Sequence, residues 1–183
     1  MAHGRVLSRE GGLLRPFRCG FVCRCEEEIK KGRVVDDLMP VERLAEQDFA
    51  RARRRALLGR IAIRLRGLLL EESAANRLAC FEEAQRAAGS FRRGFETVGL
   101  EKVVGSVGRC RDFDLGFLPV CSCLGERWTR VARAFREGRA LPPVALYKVG
   151  EEYFVMDGNH RVSVAHYRGA VAVDAVVTEF ILQ

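Results

Sequence analysis

Residues 153–169, YFVMDGNHRVSVAHYRG, restrict the fold of this chain more than any other stretch. Tyr153, Phe154, Val155 and Met156 place apolar side chains on both alternating faces, which predicts a strand inside a sheet covered on both sides. Gly158 supplies backbone angles that other residues avoid, so the chain can turn sharply from strand into helix. Asp157 or Asn159 is suited to cap that helix, and Gly169 suits the left-handed position that ends it. The free N–H groups of the first turn, with the positive end of the helix dipole behind them, favour a phosphate. His160 and Arg161 add donors matched to phosphate oxygens. Asp157 repels a bare phosphate unless it caps, binds a sugar hydroxyl or holds a cation such as Mg²⁺. The plainer reading of the same string is a capped helix on a βαβ unit with a solvated arginine.

The motif sits within residues 141–179, LPPVALYKVGEEYFVMDGNHRVSVAHYRGAVAVDAVVTE. Leu141-Pro142-Pro143 forces an extended chain into a strand over 144–148. Val149-Gly150-Glu151 makes a turn, 152–156 returns antiparallel, and 171–178 forms a last strand after the motif helix. This pattern resembles the core of the ParB N-terminal/sulfiredoxin-like superfamily, whose members bind nucleotides at the start of the short helix. Sulfiredoxins carry Gly-Cys-His-Arg with the cysteine as nucleophile. Here Asn159 stands at the cysteine's place, and an amide cannot do thiolate chemistry. ParB-type partition proteins carry Gly-Glu-Arg-Arg, which this chain lacks. The free-serine kinases of the superfamily carry Asp-Gly-His-His-Arg, and Asp157–Arg161 differs from that string only at Asn159.

The resemblance implies an α/β fold: a small mixed sheet with flanking helices, preceded by a helical extension. It places a nucleotide-binding domain over 95–183; the residues themselves, not the resemblance, give a loosely ordered arm over 1–40, with Gly, Pro and charge clusters and no sustained period, and a basic helical extension over 41–94. Phosphates of ATP, ADP or CTP, with Mg²⁺, would rest on Gly158, Asn159, His160 and Arg161. By position, the loop 105–119 forms another wall of the site, with Arg109 and Arg111 as phosphate contacts. Asp112 and Asp114 are candidates for a metal ligand or general base, or else members of an ordinary polar turn. A kinase-like activity would use His160 on the transferring phosphoryl group, Asp157 on Mg²⁺, and Asp112 or Asp114 on the acceptor hydroxyl.

Ahead of the motif the chain is basic. Lys and Arg outnumber Asp and Glu by 20 to 14 in residues 1–100 and by 11 to 10 thereafter. A helical period begins at Val41, and residues 49–70 hold seven arginines and no acidic residue. Leu57, Ile61, Leu65 and Leu68 form one apolar stripe, extended by Ala52 and Ala56, which predicts a helix packed on the domain with its arginines in water. The functional alternative is a nucleic-acid or membrane-surface face, with Arg53, Arg60 and Arg64 as phosphate contacts. No aromatic side chains interleave the arginines as single-strand stacking requires. DNA contact would rest on this helix, because the chain ends at Gln183 without a downstream helix-turn-helix.

Elsewhere the expectations are simpler. Residues 73–88 read as a second helix forming a hairpin with the first, Val34 and Val35 as a short strand, and residues 98–104 as a strand entering the main domain. In 125–138, Trp128, Val131, Ala132 and Phe135 make a core stripe on a helix. Seven cysteines, an odd number, are expected mostly as reduced thiols filling small gaps. A zinc site pooling Cys23, Cys25, Cys121 and Cys123 is the alternative. The lack of an apolar leader or a long uncharged run predicts a cytoplasmic chain, with oligomerisation open.

Overall fold

The computed structural model describes residues 21–23, 39–70, 78–81 and 87–182. Their seven strands are β1 (Phe21–Cys23), β2 (Ala79–Cys80), β3 (Ala87–Gly99), β4 (Val103–Ser106), β5 (Val144–Val149), β6 (Glu152–Asp157) and β7 (Ala170–Leu182). Three α-helices accompany them: α1 (Val41–Leu70), α2 (Gly125–Arg136) and α3 (Asn159–Tyr167). The class is mixed α/β with a helical extension, as the sequence predicts.

All strands join one mixed sheet in the order β1-β7-β5-β6-β4-β2, with β3 antiparallel on β7 along Ala87↔Leu182 to Gly99↔Ala172. The hairpin β5–β6 turns at Gly150, which adopts a φ of 59°. Strand β7 is parallel to β5, and β4 is parallel to β6. On β6, Tyr153, Phe154 and Val155 are all buried in succession, so the sheet is covered on both faces there. One layer joins Val144, Leu146 and Val155 to Val162 and Ala165 of α3. The other carries Phe81, whose ring meets those of Tyr147, Phe154 and Phe180 at 5.0–5.6 Å.

Three expectations are corrected. The arm supplies β1, and residues 79–80 and 87–88, read as helix, are strand; residues 34–35 and the rest of 73–88 lie outside the described residues. Alanine-rich sequence favours helix only weakly, and burial decides otherwise. Leu78 and Phe81 are buried, and Gly105 lets β2 approach β4 so closely that a Cβ there would strike the Ala79 carbonyl. The cysteines are also not simply reduced thiols: Cys80 is joined to Cys110, and Cys121 to Cys123. Cys25 lies outside the described residues, so the pooled zinc site cannot be traced there.

Helix α1 is tied down through its first half. Ala45 and Ala52 pack with Trp128, Ala132 and Val164. The Trp128 indole N–H donates to Ser163 Oγ at 2.8 Å, which locks α2 onto α3 and makes Trp128 a core residue. Asp48, 2% exposed, accepts from Arg136 Nε (2.9 Å), Arg168 Nη2 (3.1 Å) and Tyr167 Oη (3.0 Å). One carboxylate therefore ties α1 to α2 and to the end of α3. The second half of α1 departs from expectation, since Leu57, Ile61 and Leu65 are exposed rather than packed.

Asp48→Asn keeps the volume but removes the buried negative charge that Arg136 and Arg168 both pair with. We expect it to lower unfolding free energy by about 3 kcal/mol in denaturant titration; a loss near zero would contradict this role.

Candidate functional site

The strand-to-helix corner forms as the sequence predicts. Gly158 has φ 100°, and a Cβ placed on it would lie 2.7 Å from Val144 Cγ1, so both the backbone and the space select glycine. Its carbonyl accepts the helical bond from Val162 N at 3.0 Å. No side chain caps α3, and among the described residues no acceptor takes the backbone N–H of Asn159, His160 or Arg161. Capping by Asp157 or Asn159 is thereby corrected. Asn159 is buried and its Oδ1 accepts from Ser106 Oγ at 2.7 Å, pinning the corner to β4.

An open cavity of about 390 Å³ lies over this corner, lined by Asp157, Gly158, Asn159, His160, Arg161 and Met156, and by Arg109, Arg127, Arg130 and Val131. Four arginines face one carboxylate. Arg127 has no carboxylate partner among the described residues, whereas Arg130 pairs with Glu126 at 2.7 Å and Arg109 with Asp112 at 3.1 Å. Arg127 and Arg130 are site residues that the sequence alone does not single out. Their one signal is a position off the Trp128 stripe, and it takes the packing of Trp128 and Ala132 on Val164, with the Trp128–Ser163 bond, to bring α2 beside α3.

The two basic groups singled out from the motif have other duties. Arg161 donates from Nη1 to the Pro142 and Pro143 carbonyls (2.6 and 2.7 Å) and from Nη2 to Asp157 Oδ2 (2.6 Å). It holds the chain entering β5 and is only 13% exposed, although it lines the cavity. His160 turns its ring against Phe113, centroids 5.8 Å apart, and both ring nitrogens are enclosed and lack a hydrogen-bond partner. Burial, helped by the charges of Arg109 and Arg127, pushes its pKa down to about 4. The imidazole is therefore neutral at pH 7, and although His160 lines the cavity its ring nitrogens are enclosed rather than offered to a phosphate, against the role expected of it.

Among the remaining candidates, Arg111 is exposed and does not line the cavity. Asp112 is held by Arg109. Asp114 is 6% exposed, and its Oδ1 accepts from Gly116 N (3.0 Å) and Leu118 N (2.8 Å), an Asx-type turn that supports Phe117 at φ 54°. Burial raises its pKa, and those amide bonds oppose the rise. Of the two readings left open for Asp114, the structure favours the polar turn. No group of three or more His, Cys, Asp or Glu that could hold a metal occurs among the described residues. Arg53, Arg60 and Arg64 lie on α1, and the first two line a separate cavity of about 270 Å³ with Leu57 and Val120.

No family model matches the chain, and no curated protein matches it. Among solved structures, the sulfiredoxin from Arabidopsis thaliana is similar at 17% identity and a TM-score of 0.35, over 45% of this chain and 82% of that one.

His166, stacked on Phe117 at 5.4 Å, is also pushed down to about 4 by burial. The unfolded chain takes up a proton on each of these two histidines as pH falls through about 6.5, while the folded chain resists until about 4. Stability is thus full above the upper limit and declines as pH falls toward the lower one. His166→Phe, which keeps the ring, should remove about half of the decline in melting temperature between pH 7.5 and 5.5. An unchanged decline would contradict the assignment.

Proposed function

We propose that the chain is a nucleotide-binding domain of the ParB/sulfiredoxin-like kind, with the ligand's phosphates seated at the start of α3. The observation that carries this reading is the set of uncapped N–H groups at Asn159, His160 and Arg161, three residues that line the same cavity as Arg127, which has no carboxylate partner among the described residues. Amide donors at a helix start and a guanidinium suit a phosphate chain in both charge and geometry. Arg109 and Arg130 would exchange exposed ion pairs, each worth little in water, for the ligand's charge. The DGNHR string supports the same reading through its resemblance to the superfamily. The volume accommodates a phosphate tail with part of a nucleoside.

Within this reading Arg161 positions rather than binds. By holding Asp157 and the Pro142 and Pro143 carbonyls, it fixes the corner and offsets the carboxylate that would otherwise repel an anion. Mg²⁺ fits such a site, since it needs only one or two carboxylates besides phosphate oxygens. Asp157, the one carboxylate in the lining, would hold it, and the ion would offset phosphate charge. Phosphoryl transfer is not part of the proposal, because Asp112 and Asp114 are occupied by Arg109 and by backbone amides.

A thermal-shift series with ATP, ADP, CTP and inorganic phosphate, each with and without Mg²⁺, tests the reading. At a hundredfold excess over Kd, a ligand adds about 2.7 kcal/mol to stability, so a rise of several degrees is expected with at least one nucleotide. Arg127→Ala should remove most of that rise while leaving the unliganded melting temperature unchanged. No shift with any nucleotide, or an undiminished shift in the variant, would overturn it.

A further inference from the structure

The second half of α1 carries a pattern that nucleotide binding does not use. Leu57, Leu58, Ile61 and Leu65 are 56%, 58%, 45% and 56% exposed. At about 100° per residue they fall within one arc of roughly 100° on the helix. On the same projection Arg53, Arg60 and Arg64 border one side of that arc, and Arg51, Arg55 and Arg66 border the other. Arg54 lies within it at the N-terminal end. The face directed away from this arc holds Ala45, Phe49, Ala52 and Ala56, which pack against the domain. The helix therefore has two apolar faces, and only the inner one is covered by described residues.

We propose that the outer face of α1 docks on an anionic lipid surface, lying in the plane of the interface. The chemistry selects this occupant. Arginines flanking an aliphatic arc can extend to headgroup phosphates while their stems and the leucines enter the acyl boundary. No acidic residue occurs between positions 49 and 70, and none of these arginines has a carboxylate partner among the described residues, so the whole face is cationic. A second copy of the helix would bring arginine rows against arginine rows with nothing to offset them. Nucleic acid would satisfy the arginines but leave four aliphatic side chains in water, and the face has no aromatic ring on which a base could stack. No helix among the described residues is long and apolar enough to cross a membrane.

The test is co-sedimentation of the full chain with vesicles of phosphatidylcholine alone or mixed equally with phosphatidylglycerol, at low and high salt. The partner variant is Leu57→Ser/Ile61→Ser/Leu65→Ser, which removes apolar surface without changing charge; circular dichroism and melting temperature confirm that it folds. We expect binding to the mixed vesicles only, weakened by salt, and weakened about tenfold or more by the triple variant. Inorganic phosphate at constant ionic strength should not displace the chain, which separates this face from the α3 cavity. Failure to bind anionic vesicles, equal binding by the triple variant, or displacement by phosphate would each overturn the proposal. So would a lipid-free dimer that the triple variant dissociates, or duplex DNA that outcompetes the vesicles.

Discussion

The corner at Gly158 sets the geometry of everything around it. A left-handed φ of 100° is accessible to glycine at little cost, and here the neighbouring Val144 also leaves no room for a Cβ. The turn carries the chain directly from β6 into α3, so the helix begins with no residue placed to cap it. Asn159, in the position next to the turn, spends its side chain inward on Ser106 instead. An uncapped helix start beside a cavity leaves its amides to solvent or to a ligand. The corner is held from three directions: by Ser106 below, by Arg161 across to Pro142 and Pro143, and by Ser163 through Trp128.

That bracing divides the arginines into two kinds. Arg161 is a structural cation: its planar fork spans two carbonyls and a carboxylate, a geometry a lysine could not reproduce. Arg127 is the opposite, a charge on α2 near enough to depress the His160 pKa yet without a carboxylate among the described residues. The positive field over the cavity is thus supplied by a different element from the one bearing the motif. Asp48 sustains this arrangement at a distance, since it fixes α2 through Arg136 and the end of α3 through Arg168 and Tyr167. A shift of α2 would move Arg127 away from the α3 amides.

The sequence made the corner legible because glycine between an apolar strand and a short helix has few alternatives. The hairpin at Gly150 and the Trp128 stripe were readable for similar reasons, since both express local periodicity. Duties that depend on partners distant in the chain were not readable. Arg161 looks like a ligand cation until the Pro142 and Pro143 carbonyls are seen against it, and Asp48 is one of three acids at the start of an arginine-rich helix. His160 looks like a donor until Phe113 encloses it. The strand at 79–80 and the start of β3 at 87–88 are hidden by alanine content, because their pairing with β4 and β7 is not written in their own pattern. On α1 the helical period marks an apolar stripe, but periodicity cannot say whether an apolar face meets protein.

The central claim is that the amides opening α3 form the seat for phosphate. It is tested most directly by following backbone ¹H–¹⁵N resonances while titrating ADP and, separately, inorganic phosphate. The account predicts saturable downfield shifts of the Asn159, His160 and Arg161 amides, together with movement of the Arg127 side-chain resonance. Shifts confined to residues outside this corner, with those three amides unmoved at saturation, would contradict it.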